Sequence, residues 1–188
     1  PVLIERCRGC APNVEIASIR ANGLTLKDDM ETGRVDLAIG AFEDVSEALY
    51  HRALFRQRFV SMFRKEHPLA RGKVDLARFV AASHLIVDAA QSPYDRINGL
   101  LEKAGVTAGT RFRVPHFTAV PYIVSTSDLV VTVPQKLAES AASPFGLKWI
   151  EPPLALPTLQ TNVFWHRRFN HDPGIQWLRG LIADVFAE

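Results

Sequence analysis

Cysteine, methionine and long charge runs are what this 188-residue sequence has least of. There are two cysteines, two methionines and no lysine or arginine block longer than a pair. With 22 basic and 20 acidic side chains the formal charge is +2, too balanced for a nucleic-acid interface on this chain. No apolar run reaches 18 residues, so no membrane span is expected. The opening stretch, PVLIERCRGCAPNVEI, shows no signal peptide. A chain this long buries roughly 70% of its unfolded surface and holds a core without disulfides or metal.

The two cysteines form a C-x-x-C at Cys7 and Cys10. That spacing suits a redox pair or half a zinc site, but a zinc site needs two more ligands and none lies near. A redox pair follows a strand and opens a helix; this one closes a helical pattern, so both are read as packing cysteines. G-x-S-x-G, H-E-x-x-H, the Walker loop and G-x-G-x-x-G are all missing. That favours binding over chemistry: no catalytic residue, metal ligand or cofactor is assigned.

What is present is an alternation of helical and strand patterns. Helices are expected over 2–9 and over 25–32, the second with Thr25 as N-cap and Gly33 as its end. Residues 14–19 alternate apolar and polar like a strand, and 35–39 form a short apolar run suited to a strand covered on both faces. One or two strands are expected over 49–64, and further strands over 84–90, 111–117 and 128–134. Between them, Ser92 and Pro93 can open a helix that Gly105 closes, with Ile97, Leu100, Leu101 and Ala104 on one face. Helices are also expected over 119–125 and after Pro134. Asp172 and Pro173 open the last one. Pro144, Pro152, Pro153 and Pro157 argue against regular structure across 147–165.

Such alternation means an α/β fold with mainly parallel sheets. Connections near 65–70 and 158–163 divide it into two lobes, 1–65 plus 162–188 and 66–161. Ligands of open α/β sheets bind beyond the carboxyl ends of strands. That rule selects Gly40 and Phe42 after one strand, and His116 and Phe117 after another. Gly40 lets backbone approach a ligand, or only makes a turn; Phe42 offers a flat surface, or plugs the core. His116 can donate one hydrogen bond and accept another, or simply packs at a helix start. His84 opens a strand and Phe164 lies in NVFWHRR; each has a structural reading beside a functional one. His51, His67, His166 and His171 sit among charges and are read as solvated.

METGRVDLAIG, FVSMFRKEHPLA, SDLVVTVPQKLA and DPGIQWLRGLIADVF, in that order, resemble the effector-binding domain of LysR-type transcriptional regulators. NVEIASIRANGLTLKDDMETGRVDLAIG, LFRQRFVSMFRKEHP, VPHF and NVFWHRRFNHDPGIQWLR resemble the branch of the naphthalene/salicylate and dinitrotoluene pathway regulators, with the nodulation regulators nearby. The usual glycine-rich turn before TVP is replaced by STSD.

The resemblance implies two Rossmann-like lobes of the type 2 periplasmic-binding-protein kind, two crossovers and a ligand cleft between the lobes. It implies that His84 and His116 line that cleft, with Phe164 and the loop around Phe42. Aromatic walls and imidazoles suit a small aromatic carboxylate or phenol. It further implies a cytoplasmic homodimer or tetramer that meets DNA only through a winged helix-turn-helix preceding this domain, and a first strand of the first lobe preceding Pro1. A transporter's solute-binding protein shares the fold class and is the alternative reading; an enzyme would need an acid–base pair such as His84 with His116.

Overall fold

The computed structural model describes residues 2–42, 45–88 and 94–186. Its helices, in chain order, are α1 (Val2–Cys10), α2 (Leu26–Glu31), α3 (Leu76–Val80), α4 (Asp95–Lys103), α5 (Val120–Ser125), α6 (Gln135–Ala142) and α7 (Pro173–Phe186). Its strands are β1 (Ala38–Gly40), β2 (Leu49–Gln57), β3 (Phe59–Arg64), β4 (Ser83–Val87), β5 (Phe112–Val114), β6 (Leu129–Pro134), β7 (Leu147–Ile150) and β8 (Leu159–His166). The chain forms two compact units, Pro1–Arg56 with Gln160–Glu188, and Gln57–Leu159.

The first unit is built on a three-stranded sheet in the order β1-β8-β2. Ala38, Ile39 and Gly40 pair antiparallel with Phe164, Val163 and Asn162. Leu26 and Met30 of α2 bury against Ala38, Leu49 and Phe164, which form the core of this unit. Gly33, at φ +76°, ends the helix in the left-handed region where glycine carries no Cβ penalty. Thr25 does stand at the N-cap position, but its hydroxyl donates to Asp29 Oδ2 (2.8 Å) and caps no backbone group.

The second unit holds a five-stranded sheet in the order β5-β4-β6-β3-β7. β4 is parallel to β5 and β6; β3 is antiparallel to β6 and β7. The sheet is therefore mixed, where the sequence pattern suggested mainly parallel strands. β3, β4 and β6 are nearly continuous runs of buried residues, as expected of strands covered on both faces. Ile97 and Leu101 turn the buried face of α4 inward. Ser92 and Pro93, read as the start of that helix, lie outside the described residues, as do Ala89 and Ala90 at the end of the expected strand. Pro121 is accommodated in the first turn of α5, where its missing N–H is not needed. Asp172 Oδ1 accepts from the Ile175 amide (2.9 Å) and caps α7.

Three other expectations fail. Residues 14–19 form no strand; Val14, Ile16 and Ile19 are exposed. Alternation needs a neighbouring strand to become a ladder, and among the described residues this stretch has none. β1 is only three residues long and Ile39 is exposed, so it is not covered on both faces. Finally, β7 and β8 occupy both ends of 147–165; Pro152, Pro153 and Pro157 confine their disruption to the gap between them.

Candidate functional site

In the second unit, the carboxyl ends of β4 and β5 lie side by side, Val87 opposite Val114. Asp88, just past β4, donates its amide to the Val114 carbonyl (2.8 Å). His116 follows at the N-cap of a 3-10 turn, Phe117–Ala119, that runs into α5. Its backbone is extended, its side chain caps nothing and its ring is exposed. Phe117 is half-buried and meets the Tyr94 ring edge-on, centroids 5.0 Å apart.

Tyr94 is the residue the sequence did not single out. It is buried, packs on Phe59 (5.7 Å) and donates its hydroxyl to the Thr132 carbonyl. Burial pushes its hydroxyl pKa upward, so it stays a neutral donor. Below it the Ser61 and Thr132 hydroxyls share a buried hydrogen bond of 2.9 Å. The only sequence signal was a tyrosine between a strand and a helix, which is too common to select. The result is an exposed histidine followed in the chain by an aromatic shelf on a hydrogen-bonded base. An imidazole so placed can donate to or accept from a ligand oxygen while the shelf packs a flat apolar body.

His84 is not brought to this shelf. It opens β4 at the amino end, pairing with Val130, roughly 10 Å along the strand from Val87. Its ring is buried, Nε2 lies 2.7 Å from the Phe79 carbonyl, and the Phe79 ring meets it edge-on at 4.9 Å. The STSD turn (125–128) also lies at the amino end, before β6, where Asp128 binds the Arg64 Nε (2.9 Å).

In the first unit, Gly40 and Phe42 answer each other. The Phe42 ring folds back over Gly40, so that a Cβ there would come within 2.6 Å of the ring. Phe42 also meets Phe164 edge-on at 5.6 Å. A side chain at this position would have to displace the Phe42 ring, and no unusual φ calls for glycine. Phe164 is fully buried in the core; Phe42 is only half-covered and keeps apolar surface available.

Two histidines read as solvated are buried. His67 and His166 each precede a 3-10 turn, and each Nδ1 accepts an amide two residues on, from Leu69 (3.1 Å) and Arg168 (3.2 Å). That bond requires an unprotonated Nδ1. His51 and His171 are exposed, as read. Cys7 is buried in α1 as expected; Cys10 is exposed and donates to the Arg6 carbonyl (3.1 Å).

Burial holds both His67 and His84 below the ordinary histidine value, only partly offset by Asp128 for His67 and by the Phe79 carbonyl for His84. The unfolded chain therefore binds more protons below about pH 6.5. Stability is expected to be complete above that pH and to decline as pH falls through it towards the folded values. Urea midpoints between about pH 8 and 5 check this. His67→Asn, whose amide oxygen can take over the cap, should weaken the decline. An unchanged slope would mean His67 does not contribute.

The family model described as LysR substrate binding domain matches residues 1–187. The chain belongs to that family. This LysR domain is 42% identical over 188 residues to the HTH-type transcriptional activator NagR of Ralstonia sp, covering 100% of this chain and 62% of that protein. It is 34% identical to the HTH-type transcriptional activator NahR of Pseudomonas putida, over 100% of this chain and 63% of the relative. The LysR domain thus spans about three fifths of the length of these two relatives. Both are named as transcriptional activators rather than as enzymes or transport proteins. The crystal structure of the regulatory domain of MexT, a transcriptional activator in Pseudomonas aeruginosa, superposes with a TM-score of 0.82 at 23% identity, over 98% of this chain and 92% of that one. The fold is that of LysR effector-binding domains, of the type 2 periplasmic-binding-protein kind.

Proposed function

We propose that this domain senses a small aromatic carboxylate or phenol, salicylate-like in size, for a cytoplasmic regulator that meets DNA through a segment outside this chain. The regulator works as a homodimer or larger oligomer. Binding shifts transcription because the inducer favours one arrangement of the regulator over another. The observation that carries this reading is the position of the exposed His116 and, next in the chain, of Phe117 with its ring on Tyr94, just past the end of β5, at the strand ends where α/β folds take ligands. The likeness to NagR and NahR supports it. Within the first unit taken by itself, Gly40, Phe42 and Phe164 are the candidate ligand residues, with Phe42 as the one that has surface to offer. His84 stays outside the proposed contacts, since its ring is buried and already bonded to Phe79.

The test is a thermal-shift panel of aromatic carboxylates, phenols and flavonoids. A ligand at 100 times its Kd adds about 2.7 kcal/mol to stability. Salicylate or a close analogue is expected to raise the Tm of the wild-type protein. His116→Ala should leave the unliganded Tm unchanged, because the ring is exposed, and abolish the shift. A full shift in His116→Ala would remove His116 from the site. No shift with any carboxylate or phenol would remove the ligand class.

A further inference from the structure

We propose that the outer edge of β2 is a docking strand for an acidic, extended segment of a partner protein, which adds to the first unit's sheet as a further strand. The sheet runs β1-β8-β2, so among the described residues β2 has a strand on one side only. Ala48 bonds to Arg167, Tyr50 meets Trp165, His51 meets Phe164 and Phe55 bonds to Gln160. β2 and β8 are therefore antiparallel, with one register from end to end. The Arg167 amide donates to the Ala48 carbonyl (2.9 Å). Alternate residues of an antiparallel strand face the same neighbour, so Tyr50, Arg52 and Leu54 turn their backbone groups to β8 as Ala48 does. Those of His51 and Ala53 turn outward. The next outward carbonyl, that of Phe55, is taken by Gln160 Nε2 (3.1 Å).

Exposure marks the same stretch. A strand with one covered face alternates between buried and exposed residues. Here Tyr50, His51, Arg52 and Ala53 are all exposed in succession. Both faces and the outer edge are open at this point, and a bare edge is a template for pairing with another chain.

Charge selects the occupant. Residues two apart in a strand share a face, so Tyr50, Arg52, Leu54 and Arg56 do. Arg52 and Arg56 stand about 13 Å apart along it. Among the described residues neither is in an ion pair, whereas Arg58 and Arg64, further along the chain, are paired with Glu151 and Asp128. Neither β2 nor β8 carries an acid. A third guanidinium, Arg179, lies over the Trp165 ring (4.1 Å), which in turn meets Tyr50 edge-on (6.1 Å). Its donors go to Asn170 and to no carboxylate. Such an edge repels its own copy: self-pairing centred on Leu54 sets Arg52 of one copy against Arg56 of the other. It suits a strand with carboxylates four residues apart and an apolar residue midway, opposite Leu54.

The test is a titration of the ¹⁵N-labelled protein with the end-capped peptide GETVTETVG, whose glutamates have that spacing. Saturable shifts of the His51 and Ala53 amide signals are expected, with slower hydrogen exchange at both. The lysine peptide GKTVTKTVG should bind roughly tenfold more weakly or worse. In the double variant Arg52→Glu, Arg56→Glu the order of the two peptides should reverse. Both side chains are exposed, so its urea midpoint should match that of the wild type. GETVPETVG keeps the charge but loses a strand N–H, and it should leave the two amides unprotected. Unmoved His51 and Ala53 signals overturn the proposal. So does equal binding of the acidic and lysine peptides, in the wild type or in the double variant. Equal protection by the proline peptide means charge attraction without strand addition, and overturns it as well. Amides already protected in a protein that sediments as a dimer would give the edge to a second copy instead.

Discussion

Phe164→Ala is expected to cost about 3–5 kcal/mol of stability. The ring is fully buried on β8, the middle strand of the first unit's sheet, and Ala38 pairs with it directly. It fills the space among Leu26, Met30, Ala38 and Leu49, and it supports the rings of Phe42 (5.6 Å) and His51 (5.7 Å). Alanine would forfeit the transfer energy of the ring and leave a cavity that strand pairing prevents from collapsing. At a urea m-value of about 2 kcal/mol/M the midpoint should fall by roughly 2 M. A loss below about 1 kcal/mol would show that the ring is not a core element. The functional consequence is direct. A missing ligand response in Phe164→Ala reports a damaged core, whereas Phe42→Ala, from a half-covered position, is the substitution that can test contact with an inducer.

Phe79→Ala is expected to cost about as much, roughly 3–5 kcal/mol, and to move His84 as well. Phe79 belongs to α3, five residues long and far below the length at which a helix holds alone. Two things keep α3 in place: the Asp75 cap on the Arg78 amide (2.8 Å), and the Phe79 ring, which is completely buried. The same ring covers the edge of His84, and the same residue's carbonyl lies 2.7 Å from His84 Nε2. Desolvation is the main cause of the depressed His84 pKa. Removing the ring lets water in, so the pKa should rise towards the ordinary histidine value. Urea unfolding and an NMR titration of the His84 ring proton measure both effects. A destabilised variant with an unmoved His84 pKa would mean that other residues, and not Phe79, desolvate it.

The regular elements were legible wherever a local pattern could stand alone. The apolar stripe of α4, the Asp172–Pro173 start of α7 and the apolar runs of β4 and β6 are all set by residues within one turn or one strand. The place of His116 and Phe117 just past the end of a strand was legible from a rule that needs only the order of elements. Tyr94 was not, because its value lies in contacts with Phe59, Phe117 and Thr132, each more than 20 residues away in sequence. His67 and His166 were misread for the opposite reason. Their sequence neighbours are charged and point to solvent, while a 3-10 turn folds each ring inward onto an amide two residues ahead.

By itself, then, the sequence determined the family and the α/β alternation, because hydrophobic period, caps and prolines act over a few residues. Only the tertiary structure decided which strands have partners, which histidines are dry and which aromatics share a wall. Residues 14–19 carry a strand pattern without a ladder, and residues 147–165 carry four-residue and eight-residue strands on either side of their prolines. Both outcomes depend on what packs alongside. A hydrogen-bond partner or a covering ring from a distant part of the chain changes the free energy of a residue without changing any of its neighbours in sequence.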